Sequence, residues 1–187
     1  MRIYNKGTRL IASLLFILLP LSSKAGDGVD DVLQHLPFVT TCALKAFDGD
    51  GGITNRFATS ALMSYAITAG MVYCLKHTIE ERRPDLSDYR SFPSGHAAFA
   101  FAGATLLHKT FGKKSIWFSI AGYSVAVATA IDRVHKDRHH IHDVVIGAAI
   151  GTGGTILSDW VSKKLFPTNK NMSLSFSGNS IGFTYNM

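Results

Sequence analysis

The stretch Pro93-Ser94-Gly95-His96, followed by AAFAFAGATLL over residues 97–107, decides the fold. Pro93 breaks any preceding helix, and Ser94 is a favoured N-cap. Eleven small or apolar residues then predict a helix over 94–110 with few polar positions. Its start presents free backbone N–H groups and a positive dipole end, which bind anions. Gly95 allows close approach of the backbone to such an anion.

Two further polar islands lie in apolar surroundings: KHTIEERRP at residues 76–84 and RVHKDRHHIHD at residues 133–143. Apolar runs on either side predict helices at 55–76, 115–132 and 139–164, and a helix at 30–47 interrupted near Pro37. Residues 77–93 read as a polar loop, DGDGG at 48–52 as a turn and Gly112-Lys113-Lys114 as a tight connection. The helix ending at Lys76, the one starting at Ser94, the one ending near Arg133 and the one starting near His139 alternate in direction. All four bring their polar residues to one end. The fold class expected is all-α, a bundle of about five to six helices, embedded in a membrane. A short β-hairpin is expected near the C-terminus, from the alternation of Leu174, Phe176, Ile181, Phe183 and Tyr185 around Gly178-Asn179.

The three islands supply Lys76, Arg83 and Arg133 as cations, His96 and His139 as imidazoles and Asp143 as a carboxylate. That set suits phosphoryl transfer, in which negative charge spread over three oxygens must be held in place. Guanidinium forks match phosphate oxygens in pairs, and lysine adds a point charge. His139 and Asp143 stand four residues apart, which on a helix puts both on one face. The carboxylate can hold one imidazole nitrogen and leave the other to attack. His96 can protonate the leaving oxygen and then activate water. No metal and no cofactor are expected, because the cations already carry the countercharge.

In these islands the chain resembles the type 2 phosphatidic acid phosphatase superfamily, which includes bacterial acid phosphatases and vanadium haloperoxidases. The pattern is Lys, six residues, Arg-Pro; then Pro-Ser-Gly-His; then Ser-Arg, five residues, His, three residues, Asp. The chain matches it at Lys76, Arg83 and Pro84, at Pro93 to His96, and at Arg133, His139 and Asp143, with Asp132 where the family usually has Ser. The resemblance covers roughly residues 30 to 165. It implies His139 as nucleophile, Asp143 as its orienter and His96 as general acid/base. It implies Lys76, Arg83, Ser94, Gly95 and Arg133 as phosphate ligands. Lipid phosphates or diphosphates are the implied substrates. A soluble periplasmic acid phosphatase, a vanadate-dependent haloperoxidase and a non-catalytic headgroup binder are the alternatives. Haloperoxidases of this family are much larger, and mere binding needs neither a nucleophile nor a proton donor.

Other features bound the reading. His135, His139, His140 and His142 could be read as a metal site, but the spacing is taken up by the phosphoryl-transfer pattern and no HExxH is present. His135, His140 and His142 are then surface or supporting residues. Cys42 and Cys74 lie in apolar stretches and read as two buried thiols. The chain has 187 residues, 17% of them charged against about 25% for an ordinary soluble domain. Mean hydropathy is +0.16, modest for a fully embedded protein. Net charge is +6, yet the basic residues gather at helix ends without interleaved aromatics, which argues against a nucleic-acid partner. Arg2, Lys6 and Arg9 ahead of Leu10 to Leu21, then Ser23-Lys24-Ala25, predict an export signal or anchor over 1–25. A helical domain over 26–166 and a tail over 167–187 follow. Lys109, Lys113, Lys114, Lys163 and Lys164 mark the end opposite the polar islands. By the positive-inside rule they place that end in the cytoplasm and the site in the periplasm of a bacterial inner membrane.

Overall fold

The computed structural model describes residues 31–48, 52–167, 173–177 and 180–184. The expected export segment therefore lies outside the described residues. Five helices follow in order: α1 (Leu36–Ala46), α2 (Asn55–Thr78), α3 (Gly95–Phe111), α4 (Ile116–His135) and α5 (Ile141–Leu165). Two strands, β1 (Ser173–Ser177) and β2 (Ser180–Thr184), pair antiparallel as the expected hairpin. Leu174 stands opposite Phe183 and Phe176 opposite Ile181, so the alternating apolar positions fall in register.

Three of the predicted helices begin where a side chain can cap them. Thr54 accepts the Phe57 N–H at the head of α2, Ser94 that of Ala97 at α3, and Ser115 that of Trp117 at α4. One expectation holds and one needs correction. The expected interruption near Pro37 is present: residues 31–33 are helical, the chain turns at Gln34–His35, and Pro37 sits in the opening turn of α1, where a missing N–H costs nothing. The two cysteines, however, are not both buried. Cys42 is half-buried, but Cys74 is exposed on α2, because that helix turns only one face inward.

The central helix is α3, with ten of its residues buried. It packs against the other four helices, and α5 lies between it and α2. Close approach is set by small residues on α5. A Cβ on Gly147 would collide with the Ser94 carbonyl oxygen, and one on Gly151 with that of Ala98. Glycine there lets the two backbones touch, and it brings the start of α5 against the start of α3. The Ser94 N–H donates to the Asp143 carbonyl oxygen at 3.0 Å as a result.

The helix directions follow the predicted alternation. At the far end Asp159 of α5 meets Lys163 at 2.6 Å, Lys109 from the end of α3 at 3.5 Å and Arg56 from the start of α2 at 4.0 Å. Both α2 and α5 are long and apolar enough to cross a membrane, by length and composition. Large apolar side chains stay exposed on them, among them Leu62, Tyr73, Val145, Leu157 and Trp160.

Candidate active site

The polar end gathers all three islands. Asp143, in the first turn of α5, is fully buried. Its Oδ2 accepts the Ser91 hydroxyl and, at 2.8 Å, the His140 N–H. His139 Nδ1 stands 3.6 Å from the same oxygen. That is longer than a hydrogen bond by about 0.6 Å, a gap that sites of this kind close when ligand binds.

The shared helix face expected of His139 and Asp143 is not what joins them. α5 starts at Ile141, so His139 lies in the turn before it, its N–H on the Arg133 carbonyl oxygen at 3.3 Å. The turn, not the helix, carries the imidazole over the carboxylate. It also ties His139 directly to Arg133, six residues earlier. Both side chains are almost fully buried, at 3% and 5% exposure.

Lys76 closes the site from the end of α2. Its Nζ donates to the Arg90 carbonyl oxygen at 2.7 Å and to that of Ser91 at 3.4 Å. An ammonium has a third N–H, which can serve an anion. Arg83 lies in the loop between α2 and α3, its Nε 3.0 Å from Asp88 Oδ1. The loop is itself folded: Glu81 and Arg90 form a short bridge, Asp85 N–H donates to the Asp137 carbonyl at 3.0 Å, and Arg138 pairs with Asp85 at 3.2 Å.

These groups act together on His139. Burial lowers its pKa most, and the charges of Lys76, Arg83 and Arg133 lower it further against the pull of Asp143. The imidazole is held neutral, the form that carries a nucleophilic lone pair. The structure thus unites Lys76, Arg83, Arg133, His139 and Asp143 from distant parts of the chain. Ser94 caps α3 beside them, with Gly95 next. A Cβ at Gly95 would make only an ordinary 3.6 Å contact with Val72, so packing does not demand glycine there.

His96 stands in the first turn of α3, its Nε2 2.8 Å from Asp31 Oδ1. Asp31 and Ser91 both orient site residues, and neither stood out in the sequence. Ser91 lies three positions before Ser94 and belongs to no spacing rule, while Asp31 reaches His96 across 65 residues. Asp132, the departure from the family pattern, pairs with Lys136 at 3.1 Å. Beside Asp143, Glu81, His140 and His142 draw together and are the residues here that could hold a metal ion.

Residues 57–166 match the PAP2 superfamily. The chain is 32% identical to the lipid A 4'-phosphatase of Helicobacter pylori, the alignment covering 94% of this chain and 96% of that protein. It is 37% identical over 151 residues to the lipid A 1-phosphatase of Porphyromonas gingivalis, covering 79% of this chain but 34% of that longer protein. The crystal structure of Aquifex aeolicus LpxE superposes with a TM-score of 0.53 at 23% identity, over 76% of this chain and 93% of that one. A transmembrane PAP2-type phosphatidylglycerolphosphate phosphatase from Bacillus subtilis superposes with a TM-score of 0.50 at 19% identity, over 89% and 92%. The fold and its polar end define a helical phosphatase class. This chain belongs to the PAP2 superfamily.

Proposed function

We propose that the protein is a metal-independent phosphatase of membrane lipids, working through a phosphohistidine, with a phosphate group of lipid A as substrate. The observation that carries this is the neutral, buried His139, set between Asp143 and three cations, two of which arrive from a separate island. A binding site alone would need the cations but not the buried imidazole–carboxylate pair.

In the proposed cycle Lys76, Arg83, Arg133 and the N–H groups at the head of α3 hold the phosphate oxygens. Asp143 holds His139 Nδ1–H, and the Nε2 lone pair attacks phosphorus. The P–O ester bond breaks, and the departing oxygen takes a proton from His96. A water molecule then gives its proton to His96 and attacks phosphorus. The N–P bond breaks, inorganic phosphate leaves and both imidazoles return to their starting state.

The exposed apolar faces of α2 and α5 support insertion into a bilayer, with the site at headgroup level and facing the periplasm. The far-end lysines then lie in the cytoplasm. The lipid A phosphatase names of the relatives above support the substrate class.

The test is phosphate release from lipid A, phosphatidic acid, phosphatidylglycerophosphate, undecaprenyl diphosphate and soluble esters, by detergent-solubilised protein in EDTA. Release from lipid A that is absent in His139→Ala supports the reading. Release confined to small soluble esters overturns the lipid assignment, and no release from any of them overturns the phosphatase.

A further inference from the structure

Glu81, His140 and His142 gather beside the Asp143 carboxylate. Glu81 comes from the loop after α2, and the two histidines flank the first residue of α5. One donor atom from each of the four residues falls within a 4.8 Å cluster. Glu81 Oε1 is 2.6 Å from His142 Nε2 and 3.2 Å from His140 Nδ1. Asp143 completes the group, its Oδ2 3.5 Å from His140 Nδ1 and its Oδ1 3.3 Å from His142 Nε2.

Those separations have a chemical meaning. Zinc bonds of about 2.1 Å to nitrogen and oxygen, at tetrahedral angles, put neighbouring donors about 3.4 Å apart. The Glu81–His140 separation matches that edge, and each imidazole stands near it from one Asp143 oxygen, His140 from Oδ2 and His142 from Oδ1. The separation between Glu81 and His142 has to open by about 0.8 Å to match it. Two imidazoles and two carboxylates form a borderline donor set suited to zinc and its neighbours, and two carboxylates cancel the ion's charge. The two imidazole rings stack at 5.2 Å and 12°, so both turn the same way, toward Glu81. Asp143 Oδ1 is buried and accepts no hydrogen bond, although a carboxylate in that setting needs a partner.

We propose that Glu81, His140, His142 and Asp143 form a site for one divalent ion of the zinc class, which restrains the phosphatase when filled. The coupling passes through Asp143. Its Oδ2 faces both His139 and His140, while its Oδ1 faces His142. Coordination draws electron density from the carboxylate and weakens its hold on the His139 N–H. Turnover then slows while substrate binding stays nearly the same. The site itself needs no assumption about the reaction, whereas the restraint rests on the phosphatase reading above.

Binding and activity separate the two. The full chain in detergent, without a polyhistidine tag, is titrated with Co2+ and followed by visible absorption, then dialysed against Zn2+. One ion per chain and the strong absorption of four-coordinate cobalt are expected. His142→Ala and Glu81→Gln should each lose that band and bind Zn2+ at least about tenfold more weakly. Both residues lie outside the catalytic set, and thermal melts confirm that the variants fold. Zn2+ should lower kcat at least about tenfold in the wild type with little change in KM, and much less in His142→Ala. No stoichiometric cobalt band, or an unaltered band in both variants, overturns the site. A site that fills with kcat unchanged overturns the coupling. Absence of turnover in metal-free wild type instead counts against the phosphatase, and the substrate-free binding data still decide the site.

Discussion

Asp143 and Asp159 stand near opposite ends of α5, and both collect partners from other parts of the chain. Asp143 is wholly buried and is met by a hydroxyl, a backbone N–H and a neutral imidazole. Asp159 keeps 13% of its side chain in contact with solvent and is met by three cations. The first arrangement leaves one carboxylate oxygen without a hydrogen bond and sets the other against His139, the proposed nucleophile. The second satisfies its charge completely and ties three helix ends together. A carboxylate that fastens a fold is surrounded by opposite charge. Asp143 is held by neutral donors instead, and one of its oxygens is left without a hydrogen bond.

The sharpest way to break that contrast is His139→Ala. Turnover should fall by about 10⁴-fold or more, as when a nucleophile is removed, with the melting temperature nearly unchanged. Asp143→Asn should cost on the order of 10³-fold in kcat, because an amide cannot hold the imidazole in the reactive tautomer. Turnover above a tenth of wild type there would end the claim that Asp143 orients His139.

Packing should respond next. Gly151→Ala pushes a methyl into the Ala98 carbonyl and should cost about 1–3 kcal/mol in a denaturant titration. Activity should fall with it, since the same contact seats α5 against the start of α3.

The pH response is smaller and has a definite sign. His139 is held neutral in the folded protein, while its unfolded pKa is about 6.5. Below that pH the unfolded chain binds a proton that the folded chain refuses, so acid favours unfolding. This part of the stability is present above about pH 6.5 and is lost as pH falls below it. Melting curves between pH 7 and 5 should therefore fall less steeply for His139→Asn, which cannot titrate. The least effect is expected at the far end: Asp159→Asn should change stability by about 1 kcal/mol or less and leave kcat alone. A large loss of activity there would erase the distinction between the two carboxylates.

The legibility of each feature follows its range along the chain. Caps at Thr54, Ser94 and Ser115 act within three residues, and Ser94 is legible in the local sequence beside Pro93. The cations and imidazoles stood out because each island is short and polar in apolar surroundings. Ser91 bonds Asp143 across 52 residues, and Glu81 meets His142 across 61. No local pattern encodes such pairs. The break near Pro37 is local and legible, whereas the exposure of Cys74 is not, because it depends on which way α2 faces its neighbours.

The sequence by itself determined an all-helical chain with alternating directions, because apolar runs of helical length must each bury a face and their polar ends must fall together. It also determined which residues could do phosphoryl chemistry, since residue type sets charge, lone pairs and hydrogen-bond donors. Only the tertiary structure decided that His139 lies in a turn over Asp143 and is stripped of water. It alone decided that Asp143 is shared between that nucleophile and the Glu81, His140 and His142 cluster. Burial and long-range contact create those properties, and both come from the glycine-mediated approach of α5 to α3, which no single segment of the chain contains.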